Sequence, residues 1–309
     1  MEVRKLYIIR RNRIFLQRGN KHLKIALVGS SGYLAHYILN RFAVDRDVEV
    51  VLKIDKGISS DVYIDLSEAE KFNYNVLYDI DYIVFTAAVS GPDQCAKEFN
   101  ACWRINVVGT TYFIREAIKR NCRVLFFSSD AVFGDIPGKI YNEESETKAN
   151  TPYGRMKKAV EDEFKNESNF KAIRLSYVAS AKDKYYSYLL NCIDKGVVAD
   201  IFHPFYRNVT VVSDVVDIVA YFAHHWEQYE PTFLNVAGKE LVSRVRMADE
   251  LNRFLGGRLK YIISVPSDDF FINRPRITQM KSLYLNKYSI VADTTFTEKI
   301  AKELKEIEL

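Results

Sequence analysis

Long apolar runs, patterned cysteines and flexible linkers are missing from this sequence of 309 residues. No apolar stretch reaches the roughly 18 residues that a membrane span requires. The four cysteines have neither metal-site nor redox-pair spacing, which predicts reduced thiols, no metal site and a cytoplasmic protein. The apolar residues 6–9 are followed by Arg10 and Arg11, so no signal peptide is predicted. These absences favour an ordinary globular protein without a linker between its parts.

The net charge of +4 hides an asymmetry along the chain. Residues 1–24 carry eight lysines and arginines against one acid, Glu2, which leaves a net charge of −3 for residues 25–309. The body of the protein is therefore not expected to bind nucleic acid or an anionic membrane. A single basic run is weak evidence for such binding. We favour a short hairpin, residues 6–10 and 13–18, within a basic N-terminal extension over residues 1–21.

Between residues 25 and 175, short apolar runs alternate with segments of helical periodicity. The runs predict buried parallel strands, and the periodic segments predict the helices that connect them. The predicted strands are residues 25–28, 48–54, 82–85, 124–127 and 172–175. The predicted helices are residues 32–42, 95–120 and 152–164. This alternation is typical of an α/β protein with a doubly wound parallel sheet, the Rossmann architecture.

The alternation loosens after residue 178. Helices are predicted at residues 185–195, 213–225 and 245–254, and strands at residues 209–212 and 233–236. We therefore expect a Rossmann domain over residues 22–178 and a smaller C-terminal α/β lobe over residues 179–309. Residues 208–240 are expected to return to the Rossmann sheet.

A glycine-rich turn, Gly29-Ser30-Ser31-Gly32-Tyr33-Leu34-Ala35, joins the first strand to the first helix. Gly29 suits the backbone angles of such a turn, and Gly32 allows a pyrophosphate to approach the helix N-terminus. Asp55 ends the second strand, where a carboxylate accepts the ribose hydroxyls of adenosine and repels a 2′-phosphate. Lys56 is adjacent to it. The pattern therefore favours NAD, used as NADH, and leaves NADP open.

Two further groups of polar residues are predicted at the same edge of the sheet, one at the start of a helix and one after a strand. Tyr153 and Lys157 stand four residues apart at the start of a helix, which puts a phenol and an ammonium on one helix face. An ammonium beside a phenol lowers the pKa of the phenol, as a proton donor to a developing alkoxide requires. Ser128, Ser129 and Asp130 follow the strand at residues 124–127. The pattern predicts general acid catalysis at a carbonyl.

Together these motifs resemble the extended short-chain dehydrogenase/reductase family, over about residues 22–240. The resemblance rests on the glycine turn, Asp55, Asp65-Leu66, Ala87-Ala88, Asn106, Ser129 and Tyr153-x-x-x-Lys157. It implies an NAD(P)-binding domain, a C-terminal substrate lobe, a homodimer, and Ser129, Tyr153 and Lys157 as catalytic residues. The cofactor-binding residues that it implies are Gly29, Ser31, Gly32, Tyr33, Leu34, Asp55, Lys56, Asp65, Leu66, Ala87, Ala88, Asn106, Tyr153, Lys157 and Tyr177.

Within that family, Ser129-Asp130-Ala131-Val132-Phe133 is similar to a run in the dTDP-4-dehydrorhamnose reductase group. The segment Asn273-Arg274-Pro275-Arg276 resembles the Arg-Pro motif of the same group. Ala131 stands where the 4,6-dehydratases have a glutamate as base, which argues against a dehydratase. The resemblance implies an NAD(P)H-dependent reductase of a keto group on a nucleotide-linked sugar, at the 4-position, of the kind used in polysaccharide biosynthesis.

The substrate contacts and two rival functions stay open on sequence alone. The predicted substrate contacts are Ser128, Ser129 and Asp130 beside the sheet, and Arg207 and Arg274 in the lobe, where a guanidinium suits a diphosphate. A nucleotide-sugar 4-epimerase with tightly bound NAD would use the same residues. A non-catalytic, dinucleotide-binding regulatory subunit is the alternative of another class. No histidine has companions at metal-ligand spacing, so no metal is expected.

Overall fold

The computed structural model describes residues 22–307. Within this range the chain folds around a parallel sheet of seven strands, with helices that pack apolar residues against both faces, the α/β architecture predicted from the sequence. The hairpin predicted within residues 6–18 lies outside the described residues.

Fifteen strands lie within residues 22–307. In chain order they are β1 (Leu23–Val28), β2 (Val48–Asp55), β3 (Val62–Tyr63), β4 (Tyr82–Phe85), β5 (Arg123–Ser129), β6 (Ile140–Tyr141), β7 (Phe170–Leu175), β8 (Val178–Ala179), β9 (Ala199–Phe202), β10 (Tyr206–Arg207), β11 (Thr210–Val211), β12 (Phe233–Val236), β13 (Val242–Ser243), β14 (Tyr261–Ser264) and β15 (Ile277–Met280). The main sheet has the order β12-β7-β5-β4-β1-β2-β3. Because the chain reverses its direction of travel between β1 and β4, a crevice opens there at the carboxyl edge.

Nine α-helices connect these strands within the same range. They are α1 (Tyr33–Ala43), α2 (Pro92–Lys97), α3 (Phe99–Trp103), α4 (Thr110–Lys119), α5 (Pro152–Phe164), α6 (Lys184–Asp194), α7 (Val212–His225), α8 (Arg244–Phe254) and α9 (Phe296–Glu303). Residues 104–109, between α3 and α4, form a π-helical turn.

The central strands are apolar on both sides because helices cover both faces of the sheet. Successive side chains of a strand point to opposite faces. Thus Ile25 and Leu27 of β1 pack in the same cluster as α1 and α7, whereas Ala26 and Val28 pack with α4 and α5. All four residues of β4 are buried for the same reason. A fully apolar strand in the sequence therefore marks the centre of the sheet.

The predicted boundaries agree with the structure at several elements, fail for one helix and are too long for one strand. The helix predicted at residues 152–164 and the strand at residues 233–236 are confirmed by α5 and β12. The single helix predicted over residues 95–120 is wrong, because Glu98 leaves the helical region with φ −115° and ψ 44° and separates α2 from α3. The predicted strand at residues 209–212 is shorter, since Val212 already begins α7.

The chain after β7 builds smaller sheets beside the carboxyl edge. In the described range these sheets are β13-β10-β15-β6, β11-β8 and β14-β9. Helices α6, α8 and α9 share an apolar cluster with β9 and β11, separate from the clusters of the main sheet. Strand β12 pairs with β7 at the edge of the main sheet. The division of the chain at residue 178 stays a prediction.

Candidate active site

The residues singled out in the sequence meet at the carboxyl edge of the main sheet. Strands β7, β5, β4, β1 and β2 are consecutive parallel neighbours. Parallel neighbours end at the same edge, so the loops that follow them line one crevice. The first residues of these loops are Gly29, Lys56, Thr86, Asp130 and Ser176.

The glycine turn after β1 is shaped by contacts that no side chain would permit. Gly29 has φ +90°, and a Cβ there would stand 2.6 Å from the backbone nitrogen of Ala87. At Gly32 a Cβ would meet only the carbonyl oxygen of Gly29, at 3.1 Å, so this side of the turn is otherwise open. No side chain caps the first turn of α1. The turn therefore offers uncapped N–H groups beside an open surface, which suits a phosphate group.

Asp55 is surrounded by hydrogen-bond donors of the same crevice. Its Oδ2 accepts from the backbone N–H of Ser31 at 2.7 Å and from the Ser31 hydroxyl at 2.6 Å, and its Oδ1 accepts from the N–H of Lys56 at 2.6 Å. Burial opposes the charge, but these hydrogen bonds outweigh it and hold the pKa of Asp55 below its ordinary value. Asp55 is thus a charged acceptor next to the glycine turn. A ribose hydroxyl would compete with the Ser31 hydroxyl for Oδ2.

Lys56, the second predicted determinant of the cofactor, faces another carboxylate. Its Nζ donates to Oδ2 of Asp65 at 2.5 Å. The hydrogen bond from Lys56 and those from Ser67 lower the pKa of Asp65 to about 2. The ammonium of Lys56 is therefore paired beside the crevice, and the charge closest to the glycine turn is that of Asp55.

The π-helical turn fixes two of the predicted cofactor segments. Asn106 lies in this turn, and its side-chain amide exchanges two hydrogen bonds of 2.8 Å with the backbone of Val89, next to Ala88. At the end of the turn, a Cβ on Gly109 would stand 1.8 Å from the carbonyl oxygen of Leu66. Asn106 is predicted to contact the cofactor, but in the structure its amide positions the loop after β4.

Helix α5 brings Tyr153 and Lys157 to the end of β5, where Ser129 lies. Thr151 caps the helix by accepting from the N–H of Gly154 at 3.2 Å, and Pro152 starts it. The Nζ of Lys157 lies 5.8 Å from the ring centroid of Tyr153 and donates to the carbonyl oxygen of Phe127 at 2.6 Å. Phenol and ammonium are therefore on one face of the helix, directed at the end of β5.

Burial dominates the protonation of this pair. It raises the pKa of Tyr153, and the nearby Cys95 and Asp130 act in the same direction. Burial lowers the pKa of Lys157 to about 7. The expectation that the ammonium brings the pKa of the phenol towards neutrality is therefore wrong for this arrangement. Tyr153 is instead a phenol that holds its proton at neutral pH, as a proton donor requires.

The three polar residues at the end of β5 point in different directions. Ser128 is buried, and its hydroxyl donates to Oε1 of Glu161 at 2.5 Å, which turns it away from the predicted substrate. The Ser129 hydroxyl donates to Oδ1 of Asp130 at 3.0 Å. Burial raises the pKa of Asp130, and the guanidinium of Arg207, 3.8 Å away, opposes this. Ser129 and Asp130 therefore stay candidates for substrate contact, and Ser128 does not.

A cavity of about 800 Å³ borders the crevice on the side of the C-terminal lobe. Most of the residues that line it are aromatic or cationic, and they come from both parts of the chain: Ser90, Pro92, Tyr177, Lys184, Tyr185, Tyr188, Asp200, Phe202, Phe205, Arg244, Phe270 and Arg274. Tyr177 is part of this wall, and its hydroxyl donates to Oδ1 of Asp183 at 2.7 Å. An aromatic cavity with a few cations is suited to a ligand that combines a flat ring with negative charge.

The two arginines predicted for the diphosphate differ in position. Arg274 lines the cavity, where its Nη1 donates to the carbonyl oxygen of Phe270 at 2.9 Å and its Nη2 pairs with Asp93. Arg207 donates to the carbonyl oxygens of Tyr206 at 2.6 Å and Pro275 at 2.7 Å. Arg207 therefore fastens the loop around Pro275 and supports Asp130, whereas Arg274 faces the ligand space.

Arg244 is a cavity residue that the sequence analysis missed. Its guanidinium carbon lies 4.1 Å from the ring centroid of Tyr177 and 4.3 Å from that of Tyr185. No carboxylate among residues 22–307 forms an ion pair with it. Ser243 caps the helix that Arg244 begins, and nothing in that local sequence points to the two tyrosines. Only the folded chain shows a cation held between two rings at the cavity wall.

The part of the chain that the structure describes contains no metal site, membrane-spanning helix or disulfide. No three histidine, cysteine or acidic side chains converge there in a way that could hold a metal ion. None of the helices in that part is long and apolar enough to cross a membrane. The four cysteines, Cys95, Cys102, Cys122 and Cys192, are buried and form no disulfide in this part of the chain.

Two curated proteins align with part of the chain. The spore coat polysaccharide biosynthesis protein SpsK of Bacillus subtilis (strain 168) is 31% identical over 85 residues, which are 28% of this chain and 30% of that protein. A dTDP-4-dehydrorhamnose reductase of Aggregatibacter actinomycetemcomitans is 28% identical over 112 residues, which are 34% of this chain and 38% of that protein. The matched regions thus span about a third of the length of these relatives.

Solved structures extend the similarity of the fold along nearly the whole chain. The dTDP-4-dehydrorhamnose reductase of Bacillus anthracis str. Ames, in complex with NADP, has a TM-score of 0.80 at 16% identity, covering 93% of this chain and 99% of that one. The predicted Rossmann-type fold is thereby confirmed. A family model described as the RmlD substrate binding domain matches residues 23–309. The chain therefore belongs to the RmlD substrate binding domain family, as its motifs predict.

Proposed function

We propose that this protein is an NAD(P)H-dependent reductase that reduces a keto group, at the 4-position, of a nucleotide-linked sugar. The observation that carries the proposal is the place of Tyr153. It lies in the first turn of α5, beside the end of β5 that carries Ser129, with Lys157 on the same helix face. The glycine turn follows β1 at the same edge of the sheet, and the aromatic cavity is lined there by Ser90, after β4, and Tyr177, after β7. The name of the Aggregatibacter relative supports the same class of substrate.

The glycine turn suits a nicotinamide dinucleotide, which supplies a hydride when bound. The open side of Gly32 and the uncapped first turn of α1 would hold its pyrophosphate. Asp55 would hold the adenosine ribose and disfavour a 2′-phosphate, since its carboxylate is charged and Lys56 is engaged by Asp65. We therefore propose NADH as the preferred form, although the similar structure from Bacillus anthracis contains NADP.

The catalytic residues act on the oxygen of the keto group. Tyr153 donates its phenolic proton to the developing alkoxide, because its raised pKa keeps it protonated at neutral pH. The Ser129 hydroxyl turns from Asp130 to the same oxygen and polarises the carbonyl. The ammonium of Lys157 holds the nicotinamide ribose and stabilises the phenolate that Tyr153 becomes.

The cavity supplies the groups that a nucleoside diphosphate needs. Arg244 and Arg274 line it, and a guanidinium fork suits phosphate oxygens. The rings of Tyr188, Phe202 and Phe270 offer surfaces on which a base stacks. The substrate is therefore proposed to lie with its sugar at Tyr153 and its base in the cavity.

Hydride transfer from NADH deuterated at the nicotinamide C4 tests the proposal directly. The purified protein is incubated with this NADH and dTDP-4-dehydrorhamnose, and the product is analysed by NMR. We expect one deuterium at C4 of the sugar. Oxidised NAD that co-purifies and cannot be washed out, with interconversion of nucleotide sugars and no net oxidation of NADH, would favour the 4-epimerase. No turnover together with a stable partner enzyme in pull-downs would favour the regulatory subunit.

A further inference from the structure

A buried ion pair lies behind the catalytic face of α5. Arg174 of β7 donates from Nε and Nη2 to the carboxylate of Glu161 at 2.7 to 3.1 Å. The two side chains are 4% and 2% exposed. The Ser128 hydroxyl of β5 is the third donor to this carboxylate, at 2.5 Å. Two strands and a helix thus converge on one carboxylate.

A buried ion pair of this kind contributes little to the free energy of unfolding. Removing two charges from water costs several kcal/mol per ion, and well-packed apolar residues often replace such a pair without loss. Moreover, Nη1 of Arg174 is buried without a hydrogen-bond partner. The desolvation cost of the Arg174–Glu161 pair is therefore better explained by an effect on the neighbouring Lys157 than by stability.

Glu161 is one helical turn beyond Lys157, on the same face of α5. The Nζ of Lys157 is enclosed, since the residue is 3% exposed. The groups that face it are Tyr153 and Glu161 of its own helix, the Cys95 thiol of α2, and the carbonyl of Phe127 and the ring of Phe126 on β5. Glu161 is the carboxylate among these groups.

The energetics of Lys157 show why this charge matters. Burial lowers the pKa of Lys157 to about 7, and the charge of Glu161 opposes that shift. At pH 7 Lys157 is therefore near its titration midpoint, and losing the opposing charge of Glu161 would lower the pKa of Lys157 below 7. Without Glu161 the amine would therefore be mostly neutral at pH 7, where it could neither bind a ribose as a cation nor stabilise a phenolate.

We propose that Glu161, clamped by Ser128 and Arg174, is a positioning residue that keeps Lys157 charged at the catalytic face of α5. The inference rests on the proposed function, in which the ammonium of Lys157 serves the cofactor ribose and Tyr153. It assigns a role to Ser128 that differs from substrate binding. It also gives a reason for the burial of Glu161, since Glu163 on the same helix is exposed.

The titration of Lys157 can be measured without any turnover. Unfolding free energies are determined by denaturant from pH 5 to pH 9 for the wild type, Glu161→Gln and the Lys157→Met version of each. The difference between a protein and its Lys157→Met version isolates Lys157. Its folded pKa is below the unfolded value, so the unfolded state binds more protons above that pKa and the difference grows with pH. In Glu161→Gln we expect this growth to begin at least about one pH unit lower.

Cofactor affinity provides the second readout. NADH binding to the wild type should weaken as pH rises through the titration of Lys157. In Glu161→Gln the same loss should occur at lower pH, and acidification should restore the affinity. Glu163→Gln is the matched control, because Glu163 is on the same helix, partly exposed and paired with Arg115. Glu163→Gln should change neither the pH dependence of the unfolding free energy nor that of NADH affinity.

The double variant Glu161→Gln/Arg174→Met keeps the test valid if the single variant does not fold, since it leaves neither charge of the pair unbalanced. The same downward shift, smaller in size, is expected. Lys157 titrating at the wild-type pH in a folded Glu161 variant, or NADH affinity falling equally at every pH, would overturn the inference. A shifted titration in a protein that reduces no sugar would support the role of Glu161 and count against the proposed reductase.

Discussion

Gly154 lies against the carbonyl oxygen of Ala131, so closely that a Cβ at residue 154 would stand 2.2 Å from that oxygen. The contact joins the first turn of α5 to the loop that begins after Ser129. Tyr153 precedes the glycine and the Ser129 hydroxyl accepts from the N–H of Ala131 at 3.2 Å, so the contact links both catalytic candidates. Their separation is therefore set by a residue without a side chain.

Replacing Gly154 with alanine should disturb the active site more than the fold. The backbone of α5 must move away from Ala131, and such overpacking typically costs about 1–3 kcal/mol. We expect kcat to fall at least about tenfold, since a displacement near 1 Å can cost on the order of a hundredfold in rate. Gly138→Ala is the control, because no atom lies within 4 Å of a Cβ there. Because residue 138 has φ +75°, an alanine there is strained, so this variant should lower the melting temperature without lowering kcat.

Removing the phenolic hydroxyl of Tyr153 tests the acid. Tyr153→Phe should lower kcat by roughly 10²–10⁴-fold, the usual value of general acid catalysis, and leave the Kd for NADH nearly unchanged. For the wild type, the rate should fall as pH rises through about 7, where Lys157 loses its proton, because the pKa of Tyr153 is raised by burial. Near-normal turnover in Tyr153→Phe would contradict the catalytic role and support a regulatory one.

The charge of Asp55 should decide the choice of cofactor. We expect the wild type to bind NADH more tightly than NADPH in a titration followed by fluorescence, because a charged carboxylate repels the 2′-phosphate. Asp55→Ala should narrow the difference. Lys56→Ala should change it little, since the ammonium is paired with Asp65. Equal affinities in the wild type, or a strong effect of Lys56→Ala, would show that Lys56 leaves Asp65 for the cofactor.

The cation between Tyr177 and Tyr185 should govern substrate affinity. The charge of a diphosphate is the same in the ground and transition states, so Arg244→Met should raise KM more than it lowers kcat. Arg244→Lys should not restore KM, because an ammonium lacks the planar fork that stacks between the rings. Arg274→Ala should act in the same direction, and Arg258→Met, at an exposed position of the chain, should have no effect. An unchanged KM in Arg244→Met would place the diphosphate elsewhere.

The sequence predicts the site best where chemistry and chain geometry are local. The glycine turn, Asp55 and the Tyr153–Lys157 pair are each fixed by a strand end or a helical turn, so their spacing is enough to place them. Arg244 and the direction of Ser128 depend on side chains from other elements, Tyr177, Tyr185 and Glu161, which no local pattern contains. The pKa of Tyr153 cannot be predicted from the sequence for the same reason, since burial in the folded chain, and not the neighbouring Lys157, determines it.

The π-helical turn at residues 104–109 amounts to one residue inserted into a helix that would otherwise run on from α3 into α4. An α-helix advances by about 100° per residue, so the insertion rotates everything that follows by roughly that angle. This rotation lets Asn106 meet Val89 while Phe113 still reaches the core. Deleting one residue here would convert the π-helical turn to a regular α-helix and rotate the apolar face of α4 away from the sheet. The length of this segment, as well as its side chains, therefore keeps Asn106 at Val89 and Phe113 in the core.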